Sequence, residues 1–175
     1  TLTTQSPEGL ELQARLMKEY GTTWDRNFDY MNDVRNMMNT GRPIVEAGMH
    51  HQACIALMGL PFHSDKVHTP EFYIDVVRRL LKTGLHFDSL CMKDASGTTD
   101  PLTVYKTAKG IREILPPEVL LWQHSHDTAS IAVARTRIRM DLCIGTPVNA
   151  LWRLYRPGWK RPRIERGRLL TSRGD

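Results

Sequence analysis

His124-Ser125-His126-Asp127-Thr128, together with Met92-Lys93-Asp94-Ala95-Ser96-Gly97, whose lysine stands 31 residues before the first of those histidines, decides how this chain is read. If each run closes a strand, the i, i+2 spacing puts both imidazoles on one face, because strand side chains alternate with period 2. About thirty residues is one strand-plus-helix repeat, so Lys93 and the histidine pair would occupy equivalent ends of neighbouring parallel strands. That end is where α/β proteins build active sites. Taken alone, each feature has a plainer reading: solvated loop histidines, and a lysine whose ammonium has no lone pair for a metal. Lys93 becomes a ligand only as its carbamate, after losing a proton and taking up CO2, which burial favours by lowering the amine pKa.

Working outward, periodicity and punctuation predict alternating helices and strands. Pro7 to Tyr20 reads as an amphipathic helix stopped near Gly21, and Trp24 to Phe28 as a short strand. Asn32-Asp33 should cap a helix through Met38, with Gly41-Arg42-Pro43 as a break and a further turn from Ile44 to Ala47. Gln52 to Met58 is the nearly all-apolar run of a strand buried on both faces. Thr69 should cap a helix from Pro70 to Lys82, with Phe72, Val76, Val77, Leu80 and Leu81 inward and Gly84 as its stop. Phe87 to Met92 is a strand, Asp100-Pro101 opens a helix to Leu115, Pro116-Pro117 is a linker, and Val119 to Gln123 is the next strand. Alternation without exception argues for parallel βα units.

The segments Lys93-Asp94-Ala95-Ser96-Gly97-Thr98 and His124-Ser125-His126-Asp127-Thr128-Ala129-Ser130 resemble the carboxyltransferase domain shared by pyruvate carboxylase, the oxaloacetate decarboxylase α subunit and the transcarboxylase 5S subunit. Arg26-Asn27-Phe28-Asp29-Tyr30-Met31-Asn32-Asp33 is similar to that family's Arg-x-Phe-Asp-x-x-Asn segment, and Val67-His68-Thr69-Pro70-Glu71-Phe72-Tyr73 to the lead-in to its next helix. The resemblance runs roughly from residue 24 to residue 134. It implies a TIM barrel in which Lys93 as a carbamate, His124 and His126 hold a divalent metal (Zn, Mn or Co). It also implies transfer of a carboxyl group between biotin and a keto acid such as pyruvate or oxaloacetate. Arg26 would lie near the substrate mouth, and Asp94 and Asp127 would orient the ligands. Implied partners are the biotin carboxyl carrier and biotin carboxylase components, with a homo-oligomer in the full-length family.

Two family features find no counterpart. Nothing before Trp24 resembles the Arg-Asp-Gly-type segment that carries the aspartate ligand, and the proton-relay threonine is not reached. Length points the same way: a complete barrel takes about 250 residues and at least ~200, whereas this chain has 175. The expected fold is therefore α/β, a partial TIM (β/α)8 barrel of about four consecutive βα units, with its interior and two strand edges uncovered. Such a chain is expected to be incomplete and inactive alone. Alternatives are a metal-dependent aldol-type lyase or synthase of the same barrel, which generally lacks the carbamylated lysine, and a non-catalytic fragment acting by association with another chain.

Charge divides the chain. The net charge is +5 from 24 basic and 19 acidic residues. Residues 135–175 hold ten Arg and one Lys against Asp141, Glu165 and Asp175, a net of +8, which leaves residues 1–134 at −3. Arg135, Arg137 and Arg139 alternate where a buried βα unit needs apolar residues, and Pro157, Gly158, Pro162 and Gly167 interrupt the remainder of the segment. The expected division is thus a barrel piece at 1–134 and a basic, divergent tail at 135–175 outside the barrel, produced by a lost reading frame or a divergent terminus. An RNA-binding arm of interleaved Arg and Trp is the functional alternative; no nucleic acid is expected.

Other features carry less. Cys54, Cys91 and Cys143 have no metal spacing, and their odd number without a signal sequence suggests reduced cytoplasmic thiols. His50-His51 and His63 read as loop or surface residues. Met92-Lys93 lacks the second methionine of a biotin attachment site. The methionines read as core filler, and no apolar run is long enough for a transmembrane helix.

Overall fold

The computed structural model describes residues 5–59 and 67–126, with the backbone of three short strands at 144–147, 163–165 and 168–170. The order is α1 (Pro7–Glu19), β1 (Trp24–Asp29), α2 (Val34–Glu46), β2 (His50–Ala56), α3 (Pro70–Lys82), β3 (Ser89–Asp94), α4 (Pro101–Ile114), β4 (Leu120–Ser125), β5 (Ile144–Pro147), β6 (Arg163–Glu165) and β7 (Arg168–Leu170). Local chemistry explains the helix starts. Ser6, Thr69 and Asp100 each accept an amide hydrogen bond from the adjoining first turn, at 3.1, 3.2 and 2.9 Å, and each precedes a proline whose missing N–H costs nothing there.

The first five strands form one parallel sheet in sequence order, β1-β2-β3-β4-β5. The order never reverses, as it would in a doubly wound sheet, so the winding is that of a barrel wall. Four parallel strands alternating with four helices make it an α/β partial barrel. The core lies on one face only, where Ala53, Ile55, Leu90, Met92 and Leu121 meet Met37 of α2, Tyr73, Val76, Val77 and Leu80 of α3, and Val104, Ala108 and Ile111 of α4. A smaller cluster of Ala14, Ile44 and Met49 seats α1 against α2. The opposite face is the wall's interior. There Trp24, Phe28 and Leu120 remain 49%, 44% and 43% exposed, the uncovered interior expected of an incomplete barrel.

Four expectations need correction. Helix α2 does not break at Gly41-Arg42-Pro43 but runs through to Glu46. Packing overrides propensity here, because Met37 and Gly41 sit against the sheet while Ile44, a turn further on, packs with Ala14 of α1. Strands β3 and β4 run two residues further than expected, through Asp94 and Ser125, because Lys93 pairs with His124 and Asp94 with Ser125. His50 and His51 are not loop residues: they open β2, in register with Trp24 and Asp25, and of the two only His50 keeps the surface position expected. His50 stacks on Trp24 at 4.5 Å between ring centroids. His51 is fully buried, tolerated because its Nδ1–H donates to His86 O at 2.8 Å and its Nε2 accepts from Asn27 Nδ2 at 3.3 Å. His63 lies outside the described residues.

The fourth correction concerns the tail. Ile144 to Pro147 join the sheet beside β4, with His124 opposite Thr146, and Arg163–Glu165 with Arg168–Leu170 form a separate antiparallel pair. The segment's charges lie outside an uncharged run from Leu142 to Trp152, which meets the apolar requirement that Arg135 to Arg139 fails. The rest of 135–175 lies outside the described residues. Among the described residues no helix is long and apolar enough to cross a membrane.

Candidate functional site

The register places the interior-facing residues in rows. Arg26, Gln52, Ser89 and Leu120 form one, Phe28, Cys54, Cys91 and Trp122 the next, and Ala56, Lys93 and His124 the last before the strands end. Lys93 and His124 are thus direct neighbours on adjacent strands. His126 comes just after the end of β4, its N–H donating to Asp94 O at 3.0 Å, and its ring lies 5.4 Å from that of His124. Lys93 Nζ sits 3.6 Å above the centre of the Phe28 ring, a cation–π contact that holds the amine inside the wall.

Arg26 lies in mid-strand and reaches the upper row with its side chain. Its Nε donates to Gln52 Oε1, and Gln52 in turn donates to Ser89 Oγ at 2.8 Å. Its NH1 is 3.2 Å from His124 Nδ1. A guanidinium only donates, so Nδ1 accepts and neutral His124 carries its proton on Nε2. That Nε2 is buried and has no hydrogen-bond partner in the structure. Burial, then the neighbouring positive charges of Arg26, His126 and Lys93, push His124 down to about 4.

Asp94, 1% exposed, turns away from this row and organises the loop after β3. Its Oδ1 accepts from Ser96 Oγ and Gly97 N, both at 2.8 Å, and its Oδ2 from Thr99 N at 2.9 Å. Thr98 Oγ1 then accepts from Gly59 N at 3.1 Å. The loops after β2 and β3 are thereby tied together at the mouth. Asp127 lies outside the described residues. Gln52 and Phe28, which seat Arg26 and Lys93, were not singled out from the sequence. The signal available was strand parity, since both stand an even number of residues from a singled-out position or its register partner.

Three features of the donor set bear on a divalent ion. Two imidazoles side by side and a buried, unpartnered ring nitrogen suit one, and Lys93 as a carbamate would add oxygen. Arg26 would have to release His124, because a metal at either ring nitrogen conflicts with a guanidinium donating to Nδ1. Among the described residues no group of three or more His, Cys, Asp or Glu side chains is arranged to hold a metal.

No protein-family profile matches the chain. It is 32% identical over 113 residues to the methylmalonyl-CoA carboxyltransferase 5S subunit of Propionibacterium freudenreichii subsp. shermanii, covering 65% of this chain and 21% of that protein. It is 34% identical over 116 residues to a pyruvate carboxylase subunit of Methanocaldococcus jannaschii, covering 65% of this chain and 18% of that one. The carboxyl transferase domain of Rhizobium etli pyruvate carboxylase superposes with a TM-score of 0.72 at 22% identity, over 84% of this chain and 25% of its own. This stretch belongs to the carboxyltransferase-domain family. The carboxyltransferase homologue spans about a fifth of the length of the curated relatives it matches.

The geometry also sets a pH dependence. His124 and His51 are both held below the ordinary histidine value of 6.5, in each case mainly by burial. Below pH 6.5 the unfolded chain takes up protons that the folded chain refuses until its lower values are reached. Stability therefore falls as pH drops from 6.5 toward 4, by roughly 1–2 kcal/mol after allowance for solvent around the half-exposed His124. Urea midpoints at pH 7.5 and pH 5 check this, and a flat or rising stability on acidification contradicts it.

Proposed function

We propose that residues 1–134, with β5 continuing their sheet, are the piece of a biotin-dependent carboxyltransferase that carries most of its metal site. The complete domain would move a carboxyl group between biotin and a keto acid such as pyruvate or oxaloacetate. The observation that best supports this reading is the register pairing of Lys93 with His124 at the strand ends, with an unpartnered imidazole nitrogen beside His126. Lys93 as its carbamate, His124 and His126 would hold Zn, Mn or Co. Such an ion would supply Lewis-acid polarisation of the keto-acid carbonyl.

The chain's own side chains would do the rest. Arg26 is positioned by Gln52 and turned toward the mouth, where its planar fork can take a substrate carboxylate in two parallel hydrogen bonds once it leaves His124. Asp94 fixes the loop just after Lys93. In the complete protein, biotin carboxyl carrier and biotin carboxylase components would deliver the carboxyl group, the assembly would be a homo-oligomer, and the setting cytoplasmic. Residues 148–175 are a basic segment divergent from the domain.

Without the aspartate ligand and the proton-relay threonine, this chain should not turn over alone. Exchange of the pyruvate methyl protons in D2O, monitored by proton NMR with each of the three metals, reads enolisation directly. The expected rate equals that of buffer plus metal. A faster rate that disappears in Lys93→Ala would show that the three ligands suffice and that the piece is an enzyme by itself.

A further inference from the structure

Cys54 and Cys91 stand 37 residues apart in sequence yet are register partners on β2 and β3, one row below Ala56 and Lys93. Register partners in a parallel sheet point to the same face, so both thiols enter the wall's interior side by side. Both residues are fully buried and both are free thiols. Cys54 Sγ also lies 4.0 Å from Gln52 O. Nothing in the carboxyl-transfer reading uses either group.

We propose that Cys54 and Cys91 are a reversible redox pair that closes to a cross-strand disulfide beneath the Lys93 and His124 row. Neighbouring parallel strands set paired Cα atoms about 4.8 Å apart, inside the ~4.4–6.8 Å span of bridged cysteines. Their Cβ atoms stand at about the same separation, slightly beyond the ~3.5–4.5 Å a disulfide prefers. The bond therefore forms only by drawing β2 and β3 together, and a strained bond is easily reduced, which suits a switch better than a permanent staple. The oxidant is a small disulfide such as oxidised glutathione. One cysteine sulfur attacks it, forming a mixed disulfide and releasing one glutathione thiol. The second cysteine sulfur displaces the other glutathione, and the two thiol protons leave on the two released glutathiones. Lys93 lies two residues beyond Cys91 on the same face, so closure shifts the strand that presents it. The bond itself needs only β2 and β3 and stands or falls separately from the carboxyltransferase reading.

The test uses the full chain carrying Cys143→Ser, which leaves two thiols. It is equilibrated with mixed reduced and oxidised glutathione in native buffer and in concentrated urea, quenched with acid, denatured and alkylated. Expected in native buffer are a mass lower by two hydrogens, no alkylation, a Cys54–Cys91 peptide after digestion, and full reversal by dithiothreitol. In urea the same redox buffer should leave about tenfold less of the intrachain bond, because the register no longer holds the sulfurs together. Circular dichroism unchanged on oxidation shows that the fold survives. Two alkylated thiols in native buffer, glutathione adducts without ring closure, bonds between chains, or more closure in urea than in native buffer would each overturn the proposal.

Discussion

Replacing Asp94 by alanine should lower stability by about 3–5 kcal/mol, counting a charged carboxylate that accepts several hydrogen bonds at ~1.5–3 kcal/mol each and discounting their non-additivity. The carboxylate is 1% exposed, and the amides of Gly97 and Thr99 and the hydroxyl of Ser96 all donate to it within 2.9 Å. Water cannot replace such a partner for donors that are themselves buried, so removing it leaves them unsatisfied. Asp94→Asn keeps one accepting oxygen and should lose less than half as much. Urea unfolding with an unchanged slope is the measurement; a loss below about 1 kcal/mol would mean that the loop finds other partners and that Asp94 does not set the mouth.

Gly41→Leu should cost about 3 kcal/mol or more by overpacking. A Cβ at Gly41 would already lie 2.8 Å from Leu85 Cδ2, 2.9 Å from His51 Cε1 and 3.0 Å from Asn27 Nδ2. Leucine adds three more carbons to a space that cannot take the first. Because His51 and Asn27 hold each other and anchor α2 through Met37 O, the added volume should prise the helix from β1 and β2. Thermal and urea unfolding measure the loss. Gly41→Leu with wild-type stability would show that α2 is not seated as described.

Gly41 also marks what the sequence alone could and could not disclose. Gly-x-Pro in an amphipathic run reads as punctuation, and only the sheet beneath it shows that the glycine is there for close approach and that Pro43 is carried by the surrounding helix. The alternation of elements was legible, because β2 and β3 read as apolar runs and three helices open on a capping residue and then a proline. The pairing of Lys93 with His124 was legible too, since repeat length and period 2 are both local properties. Cys54 opposite Cys91, Gln52 beside Arg26 and Phe28 beneath Lys93 were not, because register depends on where strands begin. β2 begins at His50, two residues earlier than its apolar run suggested. Likewise β5 was lost in a segment whose arginines dominate its composition but not its central uncharged run.

If Lys93, His124 and His126 form one metal centre, titration with Co2+ read by visible absorption will reveal it. Cobalt reports its ligands through d–d bands whose intensity distinguishes a protein site from the hydrated ion. Binding should be saturable and one-to-one, weak for want of the fourth ligand, and weaker still at low pH as the imidazoles protonate. It should fall at least about tenfold in His124→Ala and in His126→Ala. Spectra identical to aqueous cobalt, affinity unchanged in both histidine variants, or a stoichiometric complex that survives dialysis against a chelator would show that these three residues are not the centre described.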